Sequence, residues 1–143
     1  LGIFTLKDIK LNSFVDPLVP GVTCHVASIE ANLSLSDPSD SAVSCRQTGE
    51  ITPEMIARIK KGKTGEVVFE KSKSVFLKTL KIRRIFDEES QTLMYLSYST
   101  RETSGSFKHS LSTIPLWGTA AYVQPQSKSQ SVEQNKSSTE QSF

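Results

Sequence analysis

The amino-acid sequence predicts a mainly β protein, a single antiparallel β-sandwich or partly closed barrel with one short α-helix. Three observations predict it. Apolar residues recur with a period of two, or fall in short runs flanked by Pro, Gly, Asp and Ser, which is the pattern of strands and turns. Only 52–61 carries helix start and stop signals together. The 143 residues, 36% hydrophobic and 22% charged, suffice for one buried core and leave no room for a second domain.

The elements follow in order. Lys7 to Phe14 reads as a strand, ended where Asp16-Pro17 and Pro20-Gly21 remove a donor and permit a turn. In Val22 to Ala27, Val22, Cys24 and Val26 share one face. The loop around Ser36-Asp37-Pro38-Ser39-Asp40 leads to a strand over Ala42 to Gln47. The helix spans Thr52 to Lys61. Thr52 caps it, Pro53 suits the first position, Glu54 and Lys60-Lys61 complement the helix dipole, and Gly62 closes it. Met55, Ile56 and Ile59 form its docking stripe. Gly65 to Glu70 places Val67 and Phe69 on one side, with Glu66, Val68 and Glu70 on the other. Val75 to Phe86 and Thr92 to Ser99, joined by the polar turn 87–91, form an antiparallel hairpin. Five or six strands result. The domain is expected over 1–117. Beyond it, Gly118 to Phe143 is rich in Ser, Gln, Lys and Glu and reads as a flexible polar tail.

Few function classes are signalled. Cys24 and Cys45 stand in β-patterned runs, compatible with a disulfide between neighbouring strands or with two buried thiols. A redox-active pair is the third reading, although no Cys-x-x-Cys at a helix start accompanies it. His25 follows Cys24, but adjacent strand residues face opposite ways, so the two do not make a nucleophile and base. His109 beside Lys108 reads as a loop residue. Asp37, Asp40 and the run Asp87-Glu88-Glu89 read as turn acids, leaving a hydrolase around His25, Asp37 or Asp40 as a distant alternative. No metal-ligand spacing, nucleophile elbow or phosphate loop is present, so no metal and no cofactor are expected. No apolar run approaches the roughly 20 residues of a membrane-spanning helix.

Charge is unevenly distributed. Residues 58–84 hold ten Lys or Arg against Glu66 and Glu70, a local balance of +8 in a chain of +2. Arg58, Lys60, Lys61, Lys63, Lys81, Arg83 and Arg84 are therefore the candidate residues for an anionic ligand or partner. Nucleic acid is not the expected partner, because Phe69, Phe76 and Phe86 suit core positions better than a stacking platform.

A set of short motifs then gives a resemblance. Phe14-Val15-Asp16-Pro17, Gly21 to Val26, Asp37 to Asp40 and Ser44 to Gln47 come first; Arg58 to Gly62, Gly65 to Phe69, Leu77 to Leu80, Leu96 to Ser99 and Ser112 to Trp117 follow in the same order. Together they resemble the CreA (catabolite regulation protein A) family over roughly Ile9 to Trp117. The family usually has Asp-Asp before the proline where this chain has Val15-Asp16, and a glycine-rich stretch where it has Ser28 to Leu35. The resemblance implies an exported periplasmic protein whose signal segment has been removed, and a Cys24–Cys45 disulfide suited to that oxidising compartment. It supplies no catalytic residue. The expectation is thus a non-enzymatic periplasmic binding or interaction module for an anionic ligand or partner, with a thiol-disulfide role or an uncharacterised hydrolase as alternatives.

Overall fold

Alternation along the strands divides this chain into two inner faces, and those faces meet. The computed structural model describes residues 4–6, 9–29, 41–71, 80–99 and 109–125. In them the order is β1 (Phe4–Leu6), β2 (Ile9–Val15), β3 (Val22–Ile29), β4 (Ser41–Gln47), α1 (Pro53–Arg58), β5 (Glu66–Lys71), β6 (Leu80–Asp87), β7 (Thr92–Ser99) and β8 (His109–Pro115). One antiparallel sheet runs β1-β2-β3-β4 and the other β5-β6-β7-β8, so every described strand pairs with its neighbour in sequence. The predicted mainly β fold with one short helix is what forms, as two separate sheets rather than a closed barrel.

The core lies between the sheets. Phe14, Val22, Cys24, Val26, Val43 and Cys45 come from the first, and Leu80, Ile82, Leu93, Tyr95 and Ile114 from the second. Phe14 stacks on Phe69 across the interface, with ring centroids 4.8 Å apart. Ile51, Ile56 and Ile59 close one margin of this core. Thr52 caps α1 by accepting from Met55 N at 3.3 Å, Pro53 opens it, and it ends at Ile59, whose backbone turns extended as its side chain enters the core. The helix is therefore shorter than the predicted 52–61, and Gly62 belongs to the following turn.

Sheet-to-sheet contact is closest where β4 meets β8. Cys24 and Cys45 stand directly opposite, with Cα atoms 4.0 Å apart, at a narrow pair of the ladder where backbone N–H groups point away from the partner strand. Cys45 N accordingly donates outward to Ser112 Oγ at 2.9 Å, and Val43 N to Ser110 Oγ at 3.2 Å. Serine hydroxyls of β8 replace the carbonyls that another strand would supply, so the edge of β4 is satisfied without a ladder.

Several expectations shift. Strands β1 and β8 were not foreseen. In β8 the inward positions are Ser110, Ser112 and Ile114 while Leu111 is exposed, which inverts the usual reading of alternation. A bulge between Val67 and Phe69 pairs Glu66 with Arg84 and Phe69 with Ile82. Glu66 and Phe69 hence share the inner face, instead of lying on opposite ones, because one extra residue reverses the parity of everything after it. The segment after Trp117 packs further than its composition predicts. Ala121 is buried and donates its N–H to Ile51 O, while the Gln91 side-chain amide exchanges two hydrogen bonds with Val123 backbone. Backbone pairing and one small apolar side chain suffice to hold it. Residues 75–79, expected in a strand, lie outside the described residues, as does the tail from 126.

The disulfide closes a sequence separation of 21, for which loop entropy gives about 3 kcal/mol. Replacing both Cys24 and Cys45 by Ala is expected to lower unfolding free energy by about 2–4 kcal/mol in urea titrations. An unchanged urea midpoint would show that the pair is not a staple.

Candidate functional site

Asp16 begins as a turn residue and ends as the centre of a buried network. It follows β2, where the chain must reverse before β3, and its Oδ1 accepts from Leu18 N at 3.0 Å and Val19 N at 3.3 Å, building the turn around Pro17. The same carboxylate accepts from Arg84 NH1 at 2.8 and 3.0 Å, and its Oδ2 accepts from the Tyr95 hydroxyl at 2.6 Å. Asp16 is 0% exposed and Arg84 1%. A charge so deep persists only when paired and hydrogen-bonded, and these two pair across the sheets, although Arg84 Nε itself has no hydrogen-bond partner.

Arg84 extends the network outward. Its NH2 donates to Glu66 Oε1, which also accepts from Lys60 N at 3.1 Å. Gly65 makes this approach possible. Its φ is +57°, and a Cβ there would lie 1.9 Å from Arg84 O. The turn that carries Lys60, Lys61 and Lys63 is thus tied to the core through Glu66 and Arg84. Burial pushes the Glu66 carboxyl up, but the Arg84 hydrogen bond, the Lys60 amide and the charges of Arg84 and Lys60 outweigh it, and the net shift is downward. Burial first, then the Asp16 charge and hydrogen bond, push the Tyr95 phenol well above its ordinary value. It stays protonated and remains a donor to Asp16.

The predicted basic residues separate into three groups. Arg58, Lys60, Lys61 and Lys63 are exposed around the end of α1 and the turn after it. Arg83, half-buried on the outer face of β6, donates from Nε to Tyr98 Oη at 2.7 Å and from NH1 to Thr64 O at 3.3 Å, bracing that same turn from below. Lys81, two residues earlier on that face, stands opposite Glu70 and Tyr98 in register. Arg84 does not belong with them: it faces inward with Leu80 and Ile82 and is spent on Asp16 and Glu66. Sequence reading missed Asp16, Glu66 and Tyr95. The available signal was parity, since an arginine in phase with Leu80 and Ile82 requires a buried acid.

The other candidates are placed as follows. Both cysteines are 0% exposed and bonded to each other, out of reach of an attacking thiolate. His25 is exposed on the outer face of the first sheet, in register with Ser13 and Ser44. Asp37 and Asp40 lie outside the described residues. No helix among the described residues is long and apolar enough to cross a membrane.

Comparison with known proteins adds a consistent result. The family described as "CreA protein" matches residues 2–119. Protein CreA of Escherichia coli strain K12 is 42% identical over 115 residues, covering 76% of this chain and 72% of the relative, and Protein CreA of Escherichia coli O157:H7 matches to the same extent. No solved structure matches.

Removing Arg84 strands a buried carboxylate, so Arg84→Met is expected to cost about 3–5 kcal/mol in urea unfolding. Asp16→Asn combined with Arg84→Met is expected to cost less than the two single changes added together, and strict additivity would refute the coupling. Glu66 gives a pH test. Because its folded pKa is depressed, the stability it contributes is present above the unfolded value of about 4.3 and is lost as pH falls through the lower folded value. The stability difference between the parent and Glu66→Gln is expected to shrink steadily below about pH 4.3. A difference that holds constant down to about pH 3 would count against the assigned shift.

Proposed function

The chain belongs to the CreA family, and from that premise we propose that it is a periplasmic, non-enzymatic binding module whose exposed basic turn receives an anionic ligand or partner. The observation that supports this reading most is the support beneath the charges. Arg58, Lys60, Lys61 and Lys63 project from backbone fixed by Glu66 at Lys60 N and by Arg83 at Thr64 O. Charges presented from a fixed backbone lose less conformational freedom on binding than charges on a loose loop. Their clustering also raises the local concentration of an anion and speeds its capture.

Export fits the chemistry of the cysteines, because a disulfide persists in an oxidising compartment. The disulfide serves as a staple in this reading, since its complete burial denies access to an exchanging thiol. His25, exposed on a sheet surface, takes no part, and His25→Ala is expected to leave binding unchanged.

The test uses charge reversal with defined polyanions. Lys60→Glu, Lys61→Glu and Lys63→Glu together are expected to weaken retention on immobilised poly-glutamate or polyphosphate at least tenfold, with little change in Tm, because exposed substitutions usually stay within about 0.5 kcal/mol. Raising salt from about 0.01 to 1 M, which shortens screening from about 30 to 3 Å, is expected to release the parent protein as well. Retention indifferent to both reversal and salt would refute the reading.

A further inference from the structure

The single tryptophan of the chain stands at the surface, on a segment that is firmly held. Trp117 is 70% exposed, while Leu116 before it and Ala121 after it are buried. Leu116 N donates to Gln91 O at 2.8 Å, Ala121 N donates to Ile51 O at 3.1 Å, and the Gln91 side chain pairs with the Val123 backbone. Between these ties Gly118, with φ of +82°, turns the chain, and Thr119 donates from both N and Oγ1 to Leu116 O. Tyr122 then meets the indole edge to face, with ring centroids 5.1 Å apart at 76°. The ring is oriented by its neighbours and still faces water.

The charges of the stretches tied together here are all of one sign. Residues 47–57, 85–99 and 109–125 carry Glu50, Glu54, Asp87, Glu88 and Glu89 and no lysine or arginine. Glu50 adjoins Ile51 and Glu89 lies two residues from Gln91, the two residues to which the tryptophan segment is bonded. Glu50, Glu88 and Glu89 are exposed, whereas Asp87 is spent within its own turn on Ser90 Oγ and Glu89 N. The nearest bases along the chain are Arg46, whose NH1 is turned back onto Cys45 O, and Arg58 at the far end of α1. An indole face is the negative side of the ring quadrupole and attracts a cation, so the ring and the acids select the same ligand charge. A neutral sugar would also stack on the ring but would gain nothing from this excess of acid.

We propose that Trp117 and Tyr122, flanked by Glu50, Glu88 and Glu89, form a docking surface for a cationic protein segment, which lays an arginine or lysine on the indole. Arginine suits it best, because a planar guanidinium both stacks on a ring and pairs with a carboxylate. The exposed Val123 offers apolar surface to the aliphatic stem of such a side chain. Little freedom is lost on docking, since the tryptophan is already oriented, and large rigid aromatic rings are the usual anchors of protein interfaces. The surface is opposite in sign to the basic turn, and the six residues of α1, ~9 Å in length, stand between Glu54 and the lysines that follow it. It shares no residue with that turn and stands or falls independently of it.

Because Trp117 is the sole tryptophan, its fluorescence reports on this surface directly. Titrating the full chain with an octa-arginine peptide at about 0.15 M salt is expected to change that emission saturably, whereas octa-glutamate and the neutral sugar cellohexaose leave it unchanged. With a dye-labelled octa-arginine followed by anisotropy, Trp117→Ala is expected to bind at least fivefold more weakly, and Trp117→Phe to lose less. Glu50→Gln, Glu88→Gln and Glu89→Gln together are expected to weaken binding at least fivefold, with little change in Tm because these side chains are exposed. The Lys60, Lys61 and Lys63 reversals are expected not to weaken it. The proposal is overturned if octa-arginine leaves the emission unchanged, if Trp117→Ala or the triple glutamine variant binds as the parent does, or if cellohexaose moves the emission instead. It is equally overturned if the emission changes with protein concentration alone and ceases to do so in the lysine reversals, because a second copy of the chain would then cover the surface.

Discussion

The ion pair of Asp16 and Arg84 is the constraint on which the rest of the arrangement depends. Asp16 follows β2 and shapes the turn into β3, so one carboxylate sets a local chain reversal and also accepts from a guanidinium and a phenol of the other sheet. Through Arg84 and Glu66 the same contact reaches Lys60 N and fixes the turn after α1. The net stability of such a pair is small, because desolvating both charges offsets most of their attraction. Breaking it is costly, because each member is left charged and dry. Alternative pairings of the two sheets are therefore disfavoured more strongly than the native one is favoured.

A second polar device works at the edge where β4 meets β8. The narrow cystine pair turns the Cys45 and Val43 amides away from β3, and the β8 serines receive them. The disulfide thereby does more than shorten the unfolded chain's reach: it fixes the register that points those amides at Ser110 and Ser112. With Asp16 and Arg84 joining the interior strands β2 and β6 and the serines joining β4 to β8, the sheets are aligned by directional contacts. The apolar core between them, which is non-directional, supplies the bulk of the driving force.

The remaining polar groups divide in the same way between surface and interior. The basic turn is exposed yet anchored from beneath by Glu66 and braced by Arg83. Ser28, Ser97 and Ser99 are buried, and Ser28 Oγ is left without a hydrogen-bond partner.

Local chemistry was legible in the sequence: the β class, the helix start at Thr52 and Pro53, the β6–β7 hairpin, and the family, whose resemblance alone implied the Cys24–Cys45 pairing that the residues left open. These depend on alternation, capping and turn residues within a few positions, or on motifs in a fixed order. The Val68 bulge, the serine-faced strand β8 and the packed segment 118–123 were not legible, because each depends on what stands opposite. Arg84 shows the boundary most clearly. Its charge placed it with the surface lysines, while its phase with Leu80 and Ile82 placed it inside. Phase follows from one strand, but a buried arginine is tolerable only if an acid arrives to meet it. Asp16, 68 residues away, was brought there by the tertiary structure alone, because the cost of an unpaired buried charge is settled only when the two sheets close.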